Sequence, residues 1–542
     1  MIVFFLLLLF GGGGFATTVT YVVELAPGIN PVQYALSHGV TYMGATEVNT
    51  DLHIFEGTKR LKMTRDVTWL EEQVPRQRHR RQEEDPLRNE QWHLNQIELP
   101  ENCPYTGAGV TIGVVDDGLQ YRHPEILKNY DSHHSSNYNG GPGGNTDPSP
   151  TNSRDGHGTS AAAVAAAVKG NNHCGQGVAP NATLAGIRLI AKPVTDLQES
   201  QALSKYFSSI DIFTNSWGPE DSGQGVDGPG RLVRETLAKY AGSSIGRNGL
   251  GTIYVWASGN GRHVKDSCAF DGYAGNPYVN AIGAVDHTGT QTYYSEGCSN
   301  LLAVTPSSGD GKAIVTADLL GADGYDPGEC TKTFGGTSSA APLAAGIFAL
   351  MLEKRPDLGW RDIRHVVVQS IMLRNNKTEP EHTNAYGFGM LHVPSIFTVL
   401  DTYQKVPRKQ RQLFSEKITP GTILLPNSRL ELNLDLVISN GTNNLDFIEN
   451  AILITTISHP HRGKIRISLG FSSSGGGGGN RASILADLRD DFNANYENWG
   501  FSSLSFWGMS YNVGDTWKVL IENTDSSSGG VVQEIKFGLL GF

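Results

Sequence analysis

Four short strings in this chain carry residue types that can divide one chemical task. They are Asp116-Asp117-Gly118, His157-Gly158-Thr159, Ala257-Ser258-Gly259-Asn260 and Gly336-Thr337-Ser338-Ser339. A serine hydroxyl is a poor nucleophile at neutral pH until a base takes its proton. A histidine serves as that base, and a carboxylate fixes its tautomer and steadies the imidazolium. An asparagine amide can donate to the oxyanion formed when the hydroxyl attacks a carbonyl. Any one of these strings is common by chance. Together, in this order, they read as acyl transfer. Ser338 is the nucleophile, His157 the general base and acid, Asp116 its orienter and Asn260 the oxyanion donor.

Such side chains have to be presented from rigid elements. Residues 110–115 are apolar and β-branched and end in Asp-Asp-Gly, which predicts a buried strand with Asp116 at its carboxyl end. The alanine-rich stretch 158–168 predicts a helix that His157 starts. A second helix is predicted over 337–351, with Ser338 near its N-terminus, where the dipole favours developing negative charge. Asn260 follows a strand-like run at 252–256. Open α/β sheets place their sites at the carboxyl ends of strands, so the expected fold is an α/β catalytic domain on a mostly parallel sheet.

The rest of the chain sets bounds. At 542 residues it exceeds one hydrophobic core. A net charge of −11 argues against a nucleic-acid partner and suits a cationic ligand. The apolar run 1–10, followed by glycines and Gly14-Phe15-Ala16, reads as a secretory signal over 1–16 that lacks a basic n-region. It is too short to span a bilayer, and no transmembrane anchor is expected. A secreted protein, or one in the secretory-pathway lumen, follows; sequons at Asn181, Asn376 and Asn440 fit that route. Five cysteines leave at least one unpaired in a monomer, and none has zinc-finger spacing.

Residues 17–81 hold a strand-like run at 19–25 and end in Arg76-Gln77-Arg78-His79-Arg80-Arg81. Behind a signal peptide, a nuclear tag makes no sense. Between a small α+β segment and a larger domain, the string suits a cleavage site. The catalytic domain is expected over 82–405, with a polar, basic linker at 403–411. From 406 to 542, strand-like runs at 430–438, 451–457, 465–469, 517–521 and 532–540 alternate with turns and predict an all-β sandwich. The glycine run 475–479 reads as a loop.

Further blocks make the pattern specific: Ser216-Trp217-Gly218-Pro219-Glu220-Asp221, Trp256-Ala257-Ser258-Gly259-Asn260-Gly261, Asp271-Gly272-Tyr273, Tyr294-Ser295-Glu296 and Ala341-Pro342-Leu343-Ala344-Ala345-Gly346. With the first four strings they resemble the kexin/furin-type proprotein convertases of the subtilisin-like family, over essentially the whole chain. The resemblance implies a propeptide that inhibits its own enzyme, a catalytic domain and a β-rich P domain, acting as a monomer. It implies cleavage of precursor proteins after paired or multiple basic residues, Arg-Xaa-Lys/Arg-Arg. Asp221 and Asp271 would hold the arginine at the cut, and Asp117 the basic residue before it, with Asp155 close by. Glu199, Glu220, Asp227 and Tyr273 would line subsites further upstream, and Trp217 and Ala257 also line the cleft. Carboxylates accept bidentate arginine bonds and discriminate against neutral side chains.

The same resemblance implies calcium. One site is Asp85, Glu125 and Asn171 with carbonyls near Val168, His173 and Gly175; a second is Asp221, Asp266 and Glu296. Such hard oxygen ligands suit that ion. A family ion site between the Asp and His blocks is lost, because 137–145 is mostly glycine and asparagine. The implied disulfides are Cys174 with Cys330 and Cys268 with Cys298, leaving Cys103 as a buried, inert thiol. Self-cleavage is expected after Arg81, with a second cut after Arg60 releasing the propeptide. Two departures stand out. Arg154-Asp155-Gly156 precedes the histidine, putting a positive charge near the penultimate subsite, which Asp155 would offset by pairing with Arg154. Ser160-Ala161 follow the histidine block where the family has arginine and cysteine. Two other readings are a broad degradative subtilisin, marked by no arginine preference, and an inactive pseudoprotease acting as a binding module, marked by no reaction with a fluorophosphonate probe.

Overall fold

A computed structural model of the chain describes residues 18–74 and 85–542, except positions 48, 141–144, 243–244, 322–323, 416–417, 419–420, 438–443 and 474–479. The expected signal segment, the string 76–81 with Arg81, the sequon at Asn440 and the glycines 475–479 lie outside the described residues. The chain divides into two compact units, Met1–Gln82 and Glu83–Phe542.

The first unit is a four-stranded antiparallel sheet in the order Thr41–Ala45, Leu52–Gly57, Val19–Leu25, Val67–Glu72, with the helix Pro31–His38. Alternation along the strands buries Tyr21, Val23 and Phe55, which pack with Tyr34 and Ala35 of the helix. Asn30 caps that helix by accepting from the Val32 and Gln33 N–H groups. Arg60 lies exposed just past Leu52–Gly57.

The second unit is built on seven parallel strands in the order Leu301–Pro306, Val279–Val285, Ile253–Ala257, Ile212–Asn215, Thr111–Asp116, Thr183–Arg188, Ser136–Asn137. The strands Ile253–Ala257 and Val279–Val285 are buried along their whole length and read as mainly apolar runs because both faces are covered. The helices His157–Ala166 and Thr337–Lys354 are buried almost throughout, which explains why they carry small residues and no polar stripe. They approach too closely for a side chain at Gly346: a Cβ there would lie 2.6 Å from the Val178 Cβ and 2.9 Å from the Ala165 carbonyl oxygen.

Beyond residue 410 the chain forms two antiparallel sheets. One has six strands, centred on Gly530–Gly541 between Arg411–Ser415 and Ile448–Ser458. The other has four, in the order Ser428–Leu434, Thr516–Asn523, Ile465–Ser472, Arg481–Ala486. Trp517, Phe506 and Phe537 fill the space between them. This core runs on into the catalytic region, since Cys268, Phe270, Ala274 and Leu301 belong to the same buried cluster as Tyr496, Phe501 and Ile535. Among the described residues, no helix is long and apolar enough to cross a membrane.

Candidate active site

Asp116 ends the strand Thr111–Asp116 and is 1% exposed. His157 is the first residue of its helix, and its Nδ1 lies 2.9 and 3.0 Å from the two Asp116 carboxylate oxygens. The helix can start there only because residue 158 is glycine. A Cβ at Gly158 would lie 2.2 Å from the Gly118 carbonyl oxygen and 2.7 Å from the Asp116 Cβ. Thr159 adds a second tie, its Oγ1 accepting from the Gln120 N–H at 2.9 Å. Burial opposes charge on the His157 ring, but the Asp116 and Asp117 carboxylates outweigh it and hold its pKa above the ordinary range. Phe334 packs edge-on at a centroid distance of 5.5 Å and shields the ring.

Ser338 is the second residue of Thr337–Lys354, and its carbonyl accepts from Ser216 Oγ at 3.0 Å. The helix is entered through Gly336 at φ 71°, a conformation that favours glycine, and a Cβ there would lie 3.1 Å from Asn260 Oδ1. That oxygen accepts from the Thr337 N–H at 2.8 Å and from its hydroxyl at 3.1 Å. With Oδ1 so engaged, the NH2 of the Asn260 amide is the end left to donate elsewhere.

Beside these residues lies an aromatic and acidic wall. Trp217, Trp256 and Tyr273 cluster with centroids 4.7–5.2 Å apart, fixed by Trp217 Nε1 donating to the Val115 carbonyl at 2.9 Å. The Tyr273 hydroxyl donates to Glu199 at 2.6 Å. Asp271 Oδ1 accepts from the Tyr273 and Ala274 N–H groups, and its Oδ2 lies where a side chain on Gly218 would sit, 2.9 Å away. Burial pushes Asp271 up to about 7, with Asp221 and Asp266 adding to the effect. Asp227 joins this edge through backbone bonds to Phe270 and Gly272. Glu220 and Asp221 are exposed, and Ala257 ends the strand Ile253–Ala257.

Asp117 and Asp155 are engaged by the protein itself. Asp117 accepts from the Gly158 N–H at 2.8 Å and the His157 N–H at 3.2 Å, capping the helix that carries the histidine. Burial and Asp116 push its carboxyl up. Asp155 is buried and pairs with Arg188 at 2.5 Å, with Thr151 donating to the same oxygen. Arg154 is exposed. The expected Arg154–Asp155 pair is therefore corrected: Arg154 is exposed, and the buried acid takes the buried guanidinium of Arg188.

Both expected cation sites fit a hard cation. Glu125 is fully buried, one oxygen accepting from the Gly175 N–H while the other has no hydrogen-bond partner. Burial and Asp85 push it up to about 8. Asp85 accepts from the Gly170 and Asn171 N–H groups, while Asn171 Oδ1 accepts from the His173 N–H. Val168 donates its N–H to the Glu125 carbonyl. At the second site, Glu296 sits against Gly259 and Gly261, where a Cβ would lie 2.5 and 2.9 Å from its Oε1. Burial, Asp266 and Asp221 push Glu296 well above the carboxylate range. Asp266 is also met at 3.1 Å by Arg489 of the β-sandwich, a contact without local sequence signal. Cys174 pairs with Cys330 and Cys268 with Cys298. Cys103 is half-buried rather than buried, and burial pushes its thiol up.

An acid, a histidine and a serine at the edge of a parallel sheet, with an asparagine beside the serine, define a subtilisin-like arrangement. The serine protease of Aeromonas sobria shares the fold, with a TM-score of 0.69 at 20% identity, covering 84% of this chain and 96% of its own. Residues 107–389, just over half of the chain, match the subtilase family, peptidase S8. The chain is 36% identical over 504 residues to furin of Homo sapiens, covering 86% of this chain and 60% of furin. It is 34% identical over 509 residues to endoprotease bli-4 of Caenorhabditis elegans (89% and 52%) and 37% over 452 residues to furin-like protease 2 of Drosophila melanogaster (78% and 26%). The chain thus spans at most 60% of the length of these relatives. It belongs to the subtilase family, on the furin/kexin-type branch.

Proposed function

We propose that the chain is a serine endopeptidase that processes precursor proteins by cutting after multiple basic residues. One observation carries this reading: the Asp116–His157 couple stands beside a wall in which Asp271, Asp227 and the Tyr273–Glu199 pair are available to basic side chains. In this reading Ser338 Oγ attacks the carbonyl of the residue before the cut as His157 takes its proton. Asn260 donates to the oxyanion, and His157 then protonates the leaving amine. Asp116 keeps the ring in the tautomer with Nδ1 protonated. Asp271, pushed up to about 7 when empty, gains its full charge when an arginine enters.

Asp85, Glu125 and Asn171, and separately Asp221, Asp266 and Glu296, are the residues that would hold calcium. When bound, the ion supplies positive charge to carboxylates that otherwise repel one another beside the arginine pocket. The reading extends to self-cleavage after Arg81, release after Arg60, and a lumenal or secreted location.

The test is a comparison of kcat/KM for Arg-Val-Lys-Arg, Arg-Val-Ala-Arg and Ala-Val-Ala-Ala substrates, with and without chelator. Cleavage only after arginine, lost in excess EGTA and in Ser338→Ala, is expected. Equal cleavage of all three substrates would favour a degradative protease. A protein that a fluorophosphonate leaves unlabelled would instead be a binding module.

A further inference from the structure

A buried polar cluster lies between the acidic wall and the β-sandwich, and the catalytic steps leave it unused. Asn300 stands just before the strand Leu301–Pro306 and is 1% exposed. Its Nδ2 donates to the Ala274 carbonyl at 2.9 Å and to the Asn276 carbonyl at 3.0 Å. Its Oδ1 accepts from Asn450 Nδ2 at 3.1 Å and from Ser502 Oγ at 2.9 Å. Ser502 Oγ also lies 2.8 Å from Asn450 Oδ1, so its one proton serves both amides. Asn450 and Ser502 are buried and belong to the sandwich strands Ile448–Ser458 and Tyr496–Ser503. Both hydrogens and both lone pairs of the Asn300 amide are engaged, which fixes the way round it sits. Two further bonds close the seam: Ser299 Oγ donates to the Ser502 carbonyl at 2.7 Å, and the Leu504 N–H to the Ser299 carbonyl at 2.8 Å.

The two carbonyls that Asn300 holds belong to the turn that presents Asp271. Tyr273 and Ala274 give their N–H groups to Asp271 Oδ1 at 2.7 and 3.3 Å, and the Gly275 N–H donates to the Asp271 carbonyl. Ala274 thus meets Asp271 with its donor and Asn300 with its acceptor. The disulfide Cys268–Cys298 ties the same two stretches together. Ala274 is fully buried, so its carbonyl would stand unpaired in a dry site without Asn300. We propose that Asn300 is a positioning residue for arginine recognition, itself set by Asn450 and Ser502 of the sandwich. The assignment rests on the reading given under Proposed function, in which Asp271 receives the arginine. Asn300 holds the turn so that Asp271 Oδ1 is taken by the backbone and Oδ2, beside Gly218, is left for the guanidinium. A guanidinium meets a carboxylate through a planar fork, whereas an ammonium is a point charge. Loosening the turn therefore weakens arginine more than lysine.

The substrates Arg-Val-Lys-Arg and Arg-Val-Lys-Lys test it, with rates normalised to the fraction of protein that a fluorophosphonate labels. Asn300→Ala is expected to raise KM for the arginine substrate about tenfold with a smaller change in kcat, and to lower the arginine-to-lysine ratio of kcat/KM about tenfold. Ser502→Ala, which removes only the shared proton, should shift both about threefold in the same direction, and Ser502→Thr, which returns the hydroxyl, should restore them. A merely structural role would lower the labelled fraction and leave KM and the ratio where they are; that result in both variants overturns the proposal. Binding of p-aminobenzamidine, an arginine mimic, to Ser338→Ala protein separates the two readings. If the wild type shows no arginine preference, yet adding Asn300→Ala weakens this binding about tenfold, Asn300 keeps its role and the protease reading fails. If the wild type prefers arginine and the mimic binds equally with and without Asn300→Ala, the positioning role fails alone. Ser338→Ala protein that does not bind the mimic sinks both.

Discussion

At the scale of single residues, the tandem acids Asp116 and Asp117 do different work. Asp116 meets the imidazole, while Asp117 caps the helix that the imidazole starts. Both carboxylates raise the pKa of His157. The ring acts as a base only when neutral, so kcat/KM rises with pH through that pKa. Asp117→Asn removes one of the raising charges, and the acid limb of the profile should move to lower pH by about one unit. An unmoved limb would mean that Asp117 acts on the histidine only through the helix. Arg154 is the second case. Asp155 is committed to Arg188 and does not neutralise it. Arg154→Asp should therefore raise the kcat/KM ratio of Arg-Val-Lys-Arg to Arg-Val-Ala-Arg substrates by roughly tenfold, the effect of removing a repulsion of ~1.4 kcal/mol after screening. An unchanged ratio would put the guanidinium outside the penultimate subsite.

At the scale of elements, what could be read locally is what the sequence announced. The strand Thr111–Asp116 and the helices His157–Ala166 and Thr337–Lys354 are apolar runs, so they and the residues at their functional ends were visible, while their far ends were read two or three residues off, at 168 for the first helix and 351 for the second. The strands Arg411–Ser415, Arg481–Ala486 and Tyr496–Ser503 were not. Arg411–Ser415 starts within a polar stretch and exists because it pairs with Gly530–Gly541, over a hundred residues away; such pairing leaves no local signature. The grip of the sandwich on the substrate-side loops was hidden for the same reason. Arg489 is buried and meets Asp266, Asp491 and the Gly225 carbonyl, over the face of Phe270. Arg462 and Asn493 donate to the Gln224 carbonyl. Arg489 therefore positions the loops carrying Glu220, Asp221 and Asp271. Arg489→Met should raise KM for arginine substrates by roughly tenfold with a smaller change in kcat, and Arg489→Lys, which keeps the charge but not the fork, should recover part of it. Equal loss in kcat alone would refute a positioning role.

At the scale of the whole second unit, the catalytic region and the sandwich are joined by a buried ionic knot as well as by shared apolar core. Glu449 of the sandwich is 2% exposed and lies 2.7 Å from His365 Nε2 and 2.8–2.9 Å from Arg361 Nε, both on the helix Trp360–Arg374. Gln410 donates to the same carboxylate, and Phe447, Trp507 and Phe542 enclose the His365 ring. Burial opposes the charge on Glu449, but His365 and Arg361 hold its pKa down to about 2. A carboxyl whose folded pKa lies below its unfolded value of about 4.5 contributes stability that is complete above that value. The contribution is lost as pH falls toward 2. Glu449→Gln leaves the Arg361 guanidinium without its counter-charge in a dry site, which costs about 3–5 kcal/mol at neutral pH. The wild type should then lose stability steeply below pH 4.5 while the variant, already weakened, changes less over the same range. Thermal unfolding of both proteins between pH 7 and 3 reads the difference. Parallel curves would show that the charge of Glu449 contributes nothing to the pH dependence of the joint between the two regions.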